Sequence, residues 1–417
     1  MATKLREAEV AHFSLEGRNP PGPRQALTSL VLNRLIPGGM SVLRRVRPVW
    51  KVPGRDLVVV TGFDAVQEVF SRQHDFEVPY EERVELIHFD GFLLALQDTD
   101  EYHKMHDGIT QLFCPDDTGQ VKSIIRDTTA DILAGRGRDL DLIQDLVKPV
   151  VLAVVEQYYG VPVPEALAQP FFDGNLASSG FVFAGPRITA KQAAIARAAV
   201  AEVWPVIDAA MDAARRSPNR ATVLGRYYAE GHQEAFPEPS MRSALMTMIG
   251  GFLPPATNAS GRIMEVLLGR TEAMRFAVDA ARADQDTVLL DGLLEALRLD
   301  YIIPLLWRRA AHDTCVGEGA RRLTAIRKGT TLIVSLQSAM LDGRRVRHPK
   351  RFDPYRSPSV RMVYGHQFHY CIGEAIANAV LVDVFKPLLK RAPRTSPAQS
   401  RTTWVGDYPW HLWLRLD

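Results

Sequence analysis

Residues Tyr364 to Gly373 read YGHQFHYCIG, and the single cysteine in that stretch, Cys371, decides how the rest of the chain is read. Aromatic residues and glycines punctuate a loop, and the run that follows, GEAIANAVLVDVFKPLLKR, has the apolar spacing of a helix. Cys371 therefore stands at a helix start, where unsatisfied N–H groups and partial positive charge favour a thiolate over a thiol. A thiolate in such a place is a candidate metal ligand. Two other readings of the same residues stand beside it. One is a buried structural cysteine. The other is a zinc site using His366, His369 and Cys371, which needs a fourth ligand and matches no common finger spacing.

The other thiols support an intracellular setting. Cys114, Cys315 and Cys371 are too few and too scattered for a disulfide framework, which predicts a reducing, cytoplasmic compartment with Cys114 and Cys315 as inert core residues. No run approaches the roughly 18 uncharged apolar residues of a membrane span, and the first residues lack a signal-peptide core, so no membrane association is expected. The 417 residues are 46% hydrophobic and 24% charged, ordinary values for a folded chain, which excludes wholesale disorder. Fifty basic against 48 acidic side chains leave a net charge of +2, too balanced to imply a nucleic-acid partner.

Outward from the cysteine loop, the chain reads as mainly helical. Residues 1–55, with NPPGPR and PGG, read as an irregular arm. DLVVVTGFDAVQEVF then gives a short strand, a turn and a helix with Val66, Val69 and Phe70 on one face. TAKQ places a capping box at Thr189 and Gln192, opening an alanine-rich helix expected to kink at Pro205. MRSALMTMIGGFLPPATNASGRIMEVLLGR reads as a long buried helix whose middle is disturbed by Gly250, Gly251, Pro254 and Pro255. Two interior prolines cost on the order of 3 kcal/mol each, so a purpose or a compensating distortion is expected. With no repeat and no linker, residues 56–417 read as one large helical domain with a small β-rich portion.

The cysteine loop resembles that of the cytochrome P-450 family of haem-thiolate proteins. Tyr364, His369, Cys371 and Gly373 fall at the family's aromatic, basic, cysteine and final glycine places. Gln367 stands where the first glycine is usual, and tyrosine replaces phenylalanine. Three further matches follow in the family's order. Glu295 and Arg298 form its Glu-x-x-Arg pair, on one helix face; Arg351, in PKRF, fits the third member of that network; and RRAAHD places Arg309, or Arg308 by a one-residue shift, where the family binds a haem propionate. More weakly, DTDEYHKMH resembles the start of the family's third helix, with Tyr102 and His106 at its propionate-contacting places. The resemblance implies a mainly α cytochrome P-450 fold. In that fold a haem b (iron protoporphyrin IX) is buried between the central helix and the cysteine loop, ligated by Cys371.

What the resemblance implies about chemistry is monooxygenation of a small organic molecule, of the kind used in specialised metabolism, by a monomer fed by a ferredoxin and ferredoxin reductase. The family delivers protons through an adjacent acid and alcohol in the central helix. Aligned on Gly250 and Gly251, this chain carries Leu253 and Pro254 at those places, and neither can relay a proton. Asn258 is the nearest amide that could take a catalytic part. The substitution leaves open a peroxide-dependent or hydroperoxide-rearranging enzyme, and a haem protein without turnover. By resemblance, His88, Phe89 and Phe92, then Phe252, Leu253 and Pro254, then Leu305, would line a substrate pocket. A basic cluster of Arg321, Arg322, Arg327, Lys328, Arg344, Arg345, Arg347 and Lys350 offers an acidic ferredoxin a surface.

Overall fold

Chain segments distant in sequence sort into two compact units, and the division falls inside one long helix, between Pro255 and Ala256. A computed structural model describes residues 30–87, 93–113, 115–183, 189–317, 323–397 and 402–417. Cys114, His88, Phe89, Phe92, Arg321 and Arg322 lie outside these residues. The fold is mainly helical with small sheets, as the apolar spacing of the sequence predicts.

The first unit, residues 80–128 and 148–255 among those described, is built of helices. Thr189 and Gln192 form the expected capping box at the start of helix Ala190–Val200. The helix does not continue through a kink at Pro205. It ends, and a new helix, Trp204–Arg216, begins with that proline in its first turn, where the missing N–H has no helical partner to lose. Helix Ala190–Val200 packs tightly on Glu165–Val182: a Cβ on Gly174 would come within 2.6 Å of the Ala199 carbonyl oxygen, so only glycine fits that contact.

The long helix, Glu238–Leu268, runs unbroken through both prolines. Pro254 cannot donate to the Gly250 carbonyl, and Pro255 cannot donate to that of Gly251. The first gap is filled from outside the helix, because Ser179 Oγ donates to Gly250 O at 2.8 Å. This is the compensating contact that the sequence calls for without naming. Ser179→Ala is expected to cost about 1–2 kcal/mol by orphaning a buried carbonyl. In a Pro254→Ala background, where the helix regains its own donor, the same change should cost almost nothing; a double-mutant cycle by urea unfolding measures the coupling.

The same unit holds an acid under strain from burial. Asp173 Oδ1 accepts from Gln169 Nε2 at 2.6 Å, and Gln169 Oε1 accepts from the buried Lys148 Nζ at 2.5 Å. Burial outweighs both partners and pushes the Asp173 carboxyl up to about 6. The folded state thus holds this proton more tightly than the unfolded chain, whose value is about 3.9. The stability that results is present below the unfolded value and is lost as pH rises through 6. Asp173→Asn removes that loss, so the variant's advantage over wild type should grow by about 2 kcal/mol between pH 4 and pH 7, read by denaturant unfolding at each pH.

The second unit holds residues 30–79, 129–147 and 256–417 among those described. Its largest sheet has five strands in the spatial order Val49–Lys51, Leu57–Val60, Thr331–Val334, Leu306–Ala310 and Phe76–Glu77. Only the second pairing is parallel, with Leu57 beside Thr331. A smaller sheet pairs Trp413–Arg415 with Asp139–Asp141 and with Arg394–Thr395. Within the stretch read as an irregular arm, residues 31–46 are helical and Val49–Lys51 is an edge strand. Pro37 sits in the first turn of helix Ile36–Val46, where it is tolerated, and Arg44 anchors that helix by donating to Ser338 Oγ at 2.7 Å and to the Ser338 carbonyl at 2.9 Å.

Candidate functional site

Cys371 lies in the second unit, two residues before Gly373, the N-cap of helix Glu374–Lys390. Its backbone N–H donates to Tyr364 O at 2.9 Å, which closes the loop on itself. The turn needs left-handed backbone at two places: Gly365 has φ +84°, and Gln367 has φ +57°. The residue standing at the usual glycine position has therefore kept the glycine conformation without the glycine, a strained choice for a side chain with a Cβ. Tyr370, Cys371 and Ile372 are all exposed, so the tip of the loop presents a thiol between an aromatic ring and an aliphatic side chain. Gly373 is not forced by space, since a Cβ there would meet Cys371 Sγ at an ordinary 3.8 Å.

The electrostatics correct one expectation. The helix start was expected to favour the thiolate, yet the thiol is pushed up, because the neighbouring protein desolvates the charge even though the residue as a whole is exposed. A hydrogen bond from the backbone of Gly373 pulls the other way, and the Glu374 carboxylate adds to the rise. Burial, and after it the charge of Cys371, also pushes up the Tyr301 and Tyr364 phenols. Burial and a hydrogen bond to Glu374 push Tyr370 up to about 12. Tyr364 donates to Asn378 Oδ1 at 2.6 Å and packs edge-on to Tyr370. Tyr301, Glu374 and Asn378 were not singled out from the sequence; nothing in their spacing marks them.

Such a donor set selects what it can hold. Among the described residues no group of three or more His, Cys, Asp or Glu side chains converges to hold a metal ion, which removes the zinc reading of His366, His369 and Cys371. His369 packs its ring on Phe368, and burial pushes the His366 imidazole down from its ordinary value. One soft sulfur alone fits a metal that arrives with its remaining ligands already bound, as the iron of a haem does.

Glu295 and Arg298 are fully buried and form a two-point ion pair on helix Asp286–Leu299, with Nε to Oε2 and Nη2 to Oε1 both at 2.8 Å. The third member is not Arg351, whose side chain is exposed. It is Arg356, whose Nε donates to Glu295 Oε1 at 3.0 Å. Arg356 also donates to the carbonyls of Arg347, His348 and Arg351, so Arg351 contributes backbone only. The backbone turns at Asp353, whose N–H also donates to Glu295 Oε1, and this turn brings in the later arginine.

Other expected residues are redistributed. Arg309 is exposed and pairs with Glu77 at 3.3 Å; strand alternation turns Arg308 inward instead, buried and 4.6 Å over the Phe70 ring. Asn258 does not stand free for catalysis: its amide oxygen accepts from Arg262 Nε at 2.9 Å, and that buried arginine also binds Asp300 and Asn33. Leu305 is half-buried in the second unit. In the first unit, Tyr102 is buried on helix Asp100–Leu112 and His106 stacks on its ring at 5.8 Å. Phe252 packs on Tyr159, and Leu253 and Pro254 are buried, which leaves Gly251 as the exposed residue of that turn.

Comparison with known proteins bears on this arrangement. No family model matches the chain. It is similar to the cytochrome P-450 monooxygenase DoxA of Streptomyces sp. (strain C5), 29% identical over 49% of this chain and 48% of that protein. Cytochrome P450 monooxygenase PikC of Streptomyces venezuelae is 26% identical over 66% of this chain and 61% of that one. The chain thus spans between about half and three fifths of these curated relatives. Among solved structures, CalO2 covers 94% of this chain and 98% of its own, with a TM-score of 0.75 at 20% identity. Epothilone B-bound cytochrome P450epoK covers 91% and 96%, with a TM-score of 0.74 at 18% identity.

Proposed function

The chain belongs to the cytochrome P-450 family, and from that premise we propose that it is a haem-thiolate oxidoreductase of monooxygenase type, oxidising a small organic molecule in specialised metabolism. The observation that carries the reading is Cys371: a single soft donor at the tip of a turned loop, with no cluster of metal ligands assembled beside it among the described residues. The proposed cofactor is haem b, which when bound supplies activation of an oxidant for oxygen transfer. Cys371 would hold the iron, and its raised thiol is the group that metal binding must deprotonate, releasing a proton. Arg308, inward on its strand, replaces Arg309 as the candidate propionate partner in the second unit, and Tyr102 and His106 remain candidates in the first. The buried Glu295–Arg298–Arg356 network fixes the segment leading to the cysteine loop.

Electrons would come from a ferredoxin and its reductase. Arg347 and Lys350 are exposed, as are Arg327 and Lys328, whereas Arg345 is partly spent on Asp64 at 2.7 Å. These charges suit an acidic partner by complementarity, which acts chiefly on the rate of encounter. No helix among the described residues is long and apolar enough to cross a membrane.

A second reading is favoured by Leu253 and Pro254, which offer no acid or alcohol: oxidation driven by hydrogen peroxide or by an organic hydroperoxide. Turnover separates the two. Product formed with NADPH, ferredoxin and reductase supports the first reading. Product formed only with hydrogen peroxide supports the second. A thiolate-type spectrum with carbon monoxide, without product from either oxidant across a ligand library that shifts the Soret band, would leave a haem-binding protein without turnover.

A further inference from the structure

Helix Ile36–Val46, in the second unit, is amphipathic in the reverse sense. Its buried residue is Arg44, 5% exposed and bonded to Ser338, while Leu35, Val42 and Val46 are 58%, 60% and 75% exposed. Val42 and Val46 follow Leu35 by seven and eleven residues, close to two and three whole turns at about 3.6 residues per turn, so the three form one stripe. Arg44, two positions from either valine, falls on the opposite side. Gly39 continues the stripe between Leu35 and Val42, and nothing lies within 4 Å of a Cβ built on it or on Gly38. A helix of a folded domain ordinarily turns its aliphatic side chains to the core, and a contiguous exposed apolar surface marks a place of association. A count of consecutive apolar residues misses such a stripe, whose members are spaced by turns.

Charge identifies the occupant. Residues 30–51 carry Arg34, Arg44, Arg45, Arg47 and Lys51 and no acid. Arg34 and Arg45 are exposed, each one residue before a member of the stripe, which sets them in a row along its side; Arg47 is exposed at its end. A second copy of this chain would set arginine against arginine across a two-fold axis. A protein pocket is best filled by aromatic anchors, and the stripe has none. Aliphatic side chains flanked by arginines suit instead the interfacial plane of a bilayer with anionic headgroups.

We propose that helix Ile36–Val46 docks this protein on an anionic lipid surface. Leu35, Val42 and Val46 enter the boundary of the acyl chains, and Arg34, Arg45 and Arg47 meet phosphate headgroups. The helix has 11 residues, far too few to cross a bilayer, and lies in its plane. Arg44 holds it on the body of the unit through Ser338, so docking needs no refolding. Three aliphatic side chains supply only part of the attachment and headgroup charge supplies the rest, which makes the association reversible and salt-sensitive. None of this depends on what Cys371 binds.

The test sediments the full chain, as purified, with vesicles of phosphatidylglycerol and phosphatidylcholine in equal parts, and with phosphatidylcholine alone. At low salt the partition coefficient should be about ten-fold higher on the anionic vesicles, and high salt should remove most of that difference. Val42→Asp and Val46→Asp should each lower it by roughly ten-fold. Arg45→Glu should lower it several-fold and Arg45→Lys should restore it, since charge rather than shape is what the headgroups read. All four positions are exposed, and an unchanged near-ultraviolet circular dichroism spectrum shows that each variant is folded. Absence of binding to anionic vesicles, equal binding to neutral ones, or full binding by folded Val42→Asp overturns the proposal. A wild-type dimer in sedimentation velocity that Val42→Asp dissociates overturns it in favour of a second copy on the same stripe.

Discussion

Glu295→Ala should lower the unfolding free energy by about 3–5 kcal/mol, the cost of leaving buried guanidinium groups without their counter-charge. The carboxylate accepts from Arg298 at both oxygens and from Arg356 Nε and the Asp353 backbone at one, while its own side chain is wholly buried. The ranking of the arginines is the sharper result. Arg356→Leu should cost on the order of 2–3 kcal/mol, because Glu295 and three backbone carbonyls lose a donor together. Arg351→Leu should stay within about 0.5 kcal/mol, as expected of an exposed side chain. Urea unfolding followed by near-ultraviolet circular dichroism orders the three variants. Equal costs for Arg351 and Arg356 would contradict the geometry.

The second large effect is at Cys371. Cys371→Ala should abolish the thiolate-type absorption of the reduced, carbon monoxide-bound protein and bring oxidation of any substrate to background. The reason is the solitude of the donor: no cluster among the described residues offers a substitute ligand. Cys371→His is the informative companion, since an imidazole can bind iron but pushes less electron density toward it. It should recover haem without the thiolate spectrum. Retention of that spectrum in Cys371→Ala would make the ligand some other thiol and remove the observation on which the functional reading rests.

The sequence speaks clearly where the physics is local. Helical apolar spacing, the capping box at Thr189 and the short strand, now Leu57–Val60, all reappear, because each depends on neighbours within a few residues. The Glu295–Arg298 pair was legible for the same reason: three positions on a helix put the two side chains on one face. The third arginine was not. Choosing Arg356 over Arg351 depends on the turn at Asp353, and the two residues are chemically identical in the linear chain. Arg308 and Arg309 pose the same ambiguity, resolved only when strand register turns one inward.

Partnership also hides function that composition seems to offer. Asn258 looks available until Arg262 is seen to hold its oxygen, and the prolines of the central helix look destructive until Ser179 supplies a donor from another helix. At Cys371 two effects oppose each other, a hydrogen bond from the Gly373 backbone and desolvation. Their order is set by packing density, which no spacing rule reports.

Gln367 carries a lesson for recognising relatives of this protein. The turn before the cysteine demands a backbone conformation, φ +57° here, and glycine is only its least costly occupant. A search pattern that spells the position as a residue type discards every chain in which asparagine, aspartate or glutamine accepts the same dihedral. One that spells it as a left-handed turn followed by a thiol at a helix start would retain them. The boundary of such a family is then drawn by torsion angle, and its outlying members are to be sought among sequences that break the motif while preserving the bend.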